Sequence, residues 1–177
     1  MLYILSGASC AGKTTVYEQL EKTYPLRRVI TTTTRAPRTN EVHGVDYFFI
    51  TRDEFERLHE AGEFLEINEY AGNLYGTRWE QIREAVASPD AVFAIIDVNG
   101  AQAVMTEFPE AVSIFIEPES FEDLRVRMLN RGENTPEEIE RRLEIAREEM
   151  KKAPLFKHRV VNHVIDHAVE SILNIIK

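Results

Sequence analysis

The stretch Gly7-Ala8-Ser9-Cys10-Ala11-Gly12-Lys13-Thr14 fits the spacing G-x-x-x-x-G-K-[ST]. The apolar run Leu2-Tyr3-Ile4-Leu5 precedes it, and Thr15-Val16-Tyr17-Glu18-Gln19-Leu20 follows with the character of a helix. Strand, glycine-rich loop and helix in that order make a phosphate cradle. The glycines allow a turn tight enough for successive N–H groups to point inward, and the helix adds the positive end of its dipole. Lys13 can then reach the terminal phosphates of a nucleoside triphosphate, and the Thr14 hydroxyl can ligate an accompanying Mg²⁺. Gly7, Ala8, Ser9, Cys10, Ala11, Gly12, Lys13, Thr14 and Thr15 are the expected triphosphate-binding residues.

At 177 residues, 44% hydrophobic and 29% charged, the chain suits one globular domain. It holds no run of about 18 apolar residues and no basic-then-apolar leader, so neither a membrane span nor a signal peptide is expected. Its lone cysteine, Cys10, excludes an internal disulfide and fits a reducing, cytoplasmic setting. A net charge of −9 argues against a nucleic-acid backbone as the main partner. The arginines gather instead in two groups, Arg35 with Arg38, and Arg125, Arg127, Arg131, Arg141 and Arg142. Local basic clusters in an acidic chain suit small anionic ligands.

Further along, residues 28–31 and 45–50 read as strands, separated by a polar loop that Pro37 keeps extended. Thr51-Arg52-Asp53-Glu54 is a capping box for a helix that stops at Gly62. Residues 64–68 and 74–76 read as two strands about a Gly72-Asn73 turn, and Thr77-Arg78-Trp79-Glu80 as a second capping box. The continuous apolar run of residues 91–96, ending in the acid Asp97, is that of a strand buried on both faces of a parallel sheet. Residues 111–116 form another strand. Ser120 caps a helix broken at Gly132-Glu133-Asn134, and Thr135-Pro136-Glu137-Glu138 starts the next. A last strand at residues 159–161 and an amphipathic helix at 168–176 close the chain. Strands alternating with helices indicate an α/β fold, a parallel sheet flanked by helices, with a β-rich insertion at residues 32–78.

Four segments together resemble the guanylate kinase family. They are the loop at residues 6–15, the run Thr33-Thr34-Arg35-Ala36-Pro37-Arg38 continuing to Tyr47, Phe64-Leu65-Glu66 with Gly72-Asn73-Leu74-Tyr75-Gly76-Thr77, and Leu124-x-x-Arg127-Met128-x-x-Arg131-Gly132 followed by Ile139-x-x-Arg142-Leu143. The resemblance spans essentially the whole chain. It implies a P-loop core of residues 1–31, 79–124 and 143–177, an inserted lobe at 32–78 that binds the acceptor nucleotide, and a helical lid at 125–142. It also implies transfer of phosphate from ATP, with Mg²⁺, to GMP and dGMP. Arg35, Arg38, Tyr47 and Tyr75 would hold the acceptor phosphate, since arginine's planar fork suits phosphate oxygens and the tyrosines add donors. Glu66 would accept from the N1–H and 2-amino groups of guanine, with Thr31, Thr77 and Asp97 at further base-contacting positions. Lys13, Arg127, Arg131 and Arg142 would be catalytic, stabilising the transferring phosphoryl group. The resemblance implies a monomer or weak homo-oligomer, with no nucleic-acid or membrane partner.

Ala8, Cys10, Asn40, Ile95, Asn99, and His163 with Val164 depart from the family pattern, and two of these bear on the acceptor. Ile95 stands where an acid is usual, and Asn99 where a glutamine is usual. They leave open a kinase of the same fold with a different or modified nucleoside monophosphate as acceptor. A guanylate-kinase-like module that binds phosphorylated peptides keeps the arginine–tyrosine clamp, but typically loses the ATP loop that is intact here.

Overall fold

The computed structural model describes residues 1–70, 72–131 and 135–177, with the backbone alone at Tyr70 and Arg131. The elements begin β1 (Leu2–Gly7), α1 (Lys13–Thr23), β2 (Arg27–Arg28), β3 (Thr32–Thr33), β4 (Phe48–Phe49), α2 (Arg52–Glu60), β5 (Phe64–Tyr70) and β6 (Asn73–Arg78). They continue with α3 (Trp79–Ala87), β7 (Val92–Ile95), α4 (Val98–Glu107), β8 (Val112–Pro118), α5 (Phe121–Arg131), α6 (Pro136–Met150), β9 (His158–Asn162) and α7 (Ile165–Ile176).

β1 lies at the centre of a five-stranded parallel sheet of order β2-β7-β1-β8-β9. All six of its residues are buried, which explains its unbroken apolar run. Because side chains alternate across a strand, Tyr3 and Leu5 face one core with Val16 and Leu20 of α1, Leu143 of α6 and Ile172 of α7. Leu2 and Ile4 face the other, with Ile82 of α3 and Val104 of α4. Burying a side chain such as Ile4 or Leu5 contributes about 1.5–3 kcal/mol. The strand therefore fixes the base of the loop that follows it.

A second sheet, of order β4-β3-β6-β5, is built from strands within residues 32–78. The β5–β6 hairpin is antiparallel, with a register shift between Phe64 and Glu66. Phe55 of α2 stacks on Phe64 with ring centroids 4.3 Å apart, tying the helix to the hairpin.

The expected strand at residues 28–31 divides between the sheets: Arg28 ends β2 beside Phe93, and Thr32 opens β3 beside Phe48 and Gly76. Of the expected strand at residues 45–50, Phe48–Phe49 alone form a ladder. Gly44, at φ 79, and the two residues after it turn, with Gly44 N–H donating to the Tyr47 carbonyl at 2.8 Å. Thr77 is the fifth residue of β6 and not a helix cap. The helix begins after Arg78, whose N–H donates to Gln81 Oε1 at 3.1 Å. α4 was hidden in the sequence by Asn99-Gly100; the Asp97 carboxylate caps it, accepting from Gly100 N–H at 2.8 Å. The break expected at residues 132–134 lies outside the described residues. Among the described residues no helix is long and apolar enough to cross a membrane.

At the end of β1, Gly7 has φ 148, and a Cβ there would lie 2.2 Å from the Ile116 carbonyl oxygen. Neither backbone can yield inside the sheet. Gly7→Ala is expected to lower unfolding free energy by more than about 2 kcal/mol, read as a lower denaturant midpoint; an unchanged midpoint contradicts this packing.

Candidate active site

The loop between β1 and α1 turns through a hydrogen bond from Ala11 N–H to the Ala8 carbonyl at 3.1 Å. Two residues lie in the left-handed region, Cys10 at φ 62 and Gly12 at φ 93. The Ala11 carbonyl accepts from Asn162 Nδ2 at 2.8 Å and from an Arg127 N–H at 3.2 Å. Arg127 also donates to the Asn162 carbonyl at 2.8 Å and pairs with Asp123 at 2.7 Å. A Cβ on Gly12 would stand 2.4 Å from Asn162 Nδ2, so this close fit needs glycine on two counts. Lys13 Nζ donates to the carbonyls of Gly7 at 2.8 Å and Ala8 at 3.1 Å, which holds it across the mouth of the loop. Thr14 and Thr15 are exposed in the first turn of α1. On the far side, Ser9 N–H donates to Glu149 Oε2 of α6 at 2.9 Å.

The second group forms where β3 runs into the polar loop. Arg35 pairs with Glu41 at 2.8 Å, both side chains mostly buried, and donates to the Tyr75 hydroxyl. Its guanidinium lies 5.4 Å from the centroid of the Tyr47 ring and 5.8 Å from that of Phe49. Tyr47 and Tyr75 meet edge to face at 6.1 Å. The other Glu41 oxygen accepts from Arg38 N–H at 2.7 Å. Glu41, Tyr47 and Tyr75 are thus gathered around the Arg35 guanidinium, with Arg38 attached to Glu41 through its backbone. The Arg35 hydrogen bond holds the Glu41 carboxyl below its ordinary range.

The third group joins the two sheets. Glu66 on β5 stands opposite Thr77 on β6, whose hydroxyl donates to Glu66 Oε1 at 2.8 Å. α4 closes over it so tightly that a Cβ on Gly100 would come 3.0 Å from Glu66 Cγ. Burial pushes the Glu66 carboxyl up to about 8, and the Asp97 carboxyl hydrogen-bonded to it adds to the shift.

The remaining expected residues are dispersed. Thr31 stands between β2 and β3, its carbonyl accepting from Phe48 N–H at 2.9 Å. Arg142 projects from α6, half-buried. The Arg131 side chain lies outside the described residues. Ile95 ends β7 on the face packed against α1, among core side chains, and Asn99 accepts from Lys152 at 2.7 Å on the surface. Sequence reasoning assigned no part to Glu41, Asn162, Glu149 or Gly100. Only Glu149 carried a legible signal, since it follows Arg142 by about two helical turns and so shares its face.

The described residues thus form three polar groups: the loop tied by Lys13, Asn162 and Arg127, the cluster about Arg35, and Glu66 with Thr77 and Asp97. The guanylate kinase family model matches residues 1–177. The chain belongs to the guanylate kinase family. Relatives named guanylate kinase include one from a Nostoc species, 44% identical over 97% of this chain and 86% of its own length. Another, from Thermus thermophilus, is 42% identical over 99% and 80%. The crystal structure of guanylate kinase from Anaplasma phagocytophilum superposes with a TM-score of 0.72 at 32% identity, covering 99% of this chain and 83% of that one. Shikimate kinase from Aquifex aeolicus shares the fold at 17% identity, with a TM-score of 0.54 and coverage of 99% and 96%.

The Glu66 proton has a consequence for stability of this guanylate kinase family member. Glu66 keeps its proton to about 8 when folded, against an ordinary value of 4.5. Between those values the folded form binds more protons. Its contribution is therefore complete at low pH and is lost as pH rises through about 8. Glu66→Gln, which cannot ionise, is expected to flatten the decline in denaturant midpoint between pH 5 and 8.5. Parallel profiles for the two proteins contradict a raised Glu66 carboxyl.

Proposed function

We propose that this chain transfers the γ-phosphoryl group of ATP to the phosphate of GMP, and of dGMP, by direct in-line displacement. The observation that carries the reading is Glu66, enclosed with Thr77 and Asp97 in the same lobe as the Arg35–Tyr47–Tyr75 cluster. A carboxylate matches the paired N1–H and 2-amino donors of guanine, whereas adenine presents no such pair. Guanine needs Glu66 as the carboxylate, so base entry expels the proton that burial favours on Glu66. Thr77 keeps one Glu66 oxygen oriented, and Thr31 borders the base from the joint between the sheets.

The acceptor phosphate replaces Glu41 between Arg35 and Arg38, with hydroxyls from Tyr47 and Tyr75. The donor phosphates lie on residues 7–15, and Lys13 moves from the Gly7 and Ala8 carbonyls onto them. Arg142 and Arg131 approach from the 125–142 segment as the lid closes. Arg127 holds the Ala11 carbonyl and so supports the donor side. Positioning and positive charge are what phosphoryl transfer asks of a protein, and no covalent enzyme intermediate is needed.

Mg²⁺ fits through the exposed Thr14 hydroxyl, a hard oxygen donor at the cradle. Among the described residues no cluster of three His, Cys, Asp or Glu could hold an ion alone, so the ion fits as one carried by the nucleotide. When bound it neutralises developing charge on the phosphate oxygens. The half-buried lone thiol of Cys10 suits a reducing cytoplasm, and the site needs residues of one protomer only.

Glu66→Ala is expected to lower the ratio of kcat/KM for GMP over AMP by at least about a hundredfold, while ATP binding stays within about twofold. Steady-state assays following ADP release measure both. An unchanged GMP:AMP ratio refutes the role of Glu66.

A further inference from the structure

The peptide group between Ala8 and Ser9 is gripped on both of its polar sides. Its carbonyl accepts from Lys13 Nζ at 3.1 Å and from Ala11 N–H at 3.1 Å. Its N–H donates to Glu149 Oε2 at 2.9 Å. The carbonyl and N–H of a trans peptide point in opposite directions, so a cation holds one side and an anion the other. Rotating this peptide would break both interactions at once.

Glu149 is costly to keep charged where it stands. Burial pushes its carboxyl up, and Asp97 at the cap of α4 adds to this; Ser9 N–H, Lys13 and Lys152 oppose it. A half-buried carboxylate held against that cost must be fixing something. It comes from α6, where Arg142 occupies the same face about two turns earlier. The contact therefore registers the helix bearing a catalytic arginine against the loop bearing Lys13.

We propose that Glu149 is a positioning residue for the donor site: it sets the orientation of the Ala8–Ser9 peptide and, through the Ala8 carbonyl, the point from which Lys13 reaches a triphosphate. This rests on the reading of residues 7–15 as a triphosphate cradle. The competing role is a carboxylate that merely fills the loop until phosphate displaces it. The two roles predict opposite signs, since a displaced plug leaves ATP binding tighter when it is deleted.

Calorimetric titration of the whole chain with a nonhydrolysable ATP analogue and Mg²⁺, and separately with GMP, decides between them. Glu149→Ala is expected to weaken analogue binding by about tenfold while GMP binding stays within about twofold. Glu149→Gln, which keeps an oxygen for Ser9 N–H, should recover most of the loss. Glu149→Asp, one methylene short, should not. The same split is expected in kinetics, with KM for ATP rising and KM for GMP steady. Unchanged or tighter analogue binding in Glu149→Ala, or equal weakening of both nucleotides, overturns the proposal. If Glu149→Ala does not fold, the contrast between the Gln and Asp variants separates the two roles in its place: equal analogue affinity in both overturns the proposal. Failure of the wild-type chain to bind the analogue overturns the triphosphate reading as well, and is distinguished by occurring before any substitution.

Discussion

The Ala11 carbonyl receives two donors at once, from Asn162 and Arg127, and much of the site follows from that bond pair. A phosphate loop must keep its amides aimed inward before any phosphate arrives to hold them. Here the restraint comes from β9 and α5, elements far along the chain, and each bond to a buried carbonyl contributes about 1 kcal/mol. The fit leaves no space for a side chain on Gly12, and the sheet leaves none on Gly7. The loop is thus shaped by the core around it.

Electrostatics organises the rest. The two regions expected to take phosphate both contain a carboxylate of the protein's own: Glu41 beside Arg35 and Arg38, Glu149 on the Ser9 N–H. Their environments differ. Glu41 sits on a guanidinium that favours its charge, so a phosphate of higher charge can take its place on the same donors. Glu149 is held against burial by the Ser9 amide and the charges of Lys13 and Lys152, with no guanidinium fork. Glu66 is the third carboxyl, and burial, with Asp97 beside it, pushes it up to about 8. On the proposed reading, the three acids divide the labour of anion and base recognition.

The phosphate-loop pattern and the central buried strands were legible in the sequence because each depends on local spacing or on periodicity, whereas the grouping of Arg35 with Tyr47 and Tyr75 was expected from the family resemblance alone. The continuous apolar runs of β1 and β7 announced strands buried on both faces. What stayed hidden depends on tertiary closure. No helix was read at residues 98–107, yet Gly100 lies inside α4, where a Cβ would come 3.0 Å from Glu66 Cγ. Thr77 looked like a helix cap, yet it belongs to β6, where its hydroxyl meets Glu66. Ile95 looked like a lost site acid; its side chain packs into the core on the α1 face. Asn162 meets the loop from 151 positions away, a distance at which no local pattern speaks.

On the proposed reading, the enclosed Glu66 makes guanine the base this site accepts. The decisive measurement is phosphotransfer from Mg·ATP to GMP, AMP, CMP and UMP, followed as ADP release under one set of conditions. Turnover of GMP is predicted to exceed each of the others by at least about a hundredfold in kcat/KM. Equal or faster turnover of a pyrimidine monophosphate would contradict the assignment of Glu66 to guanine.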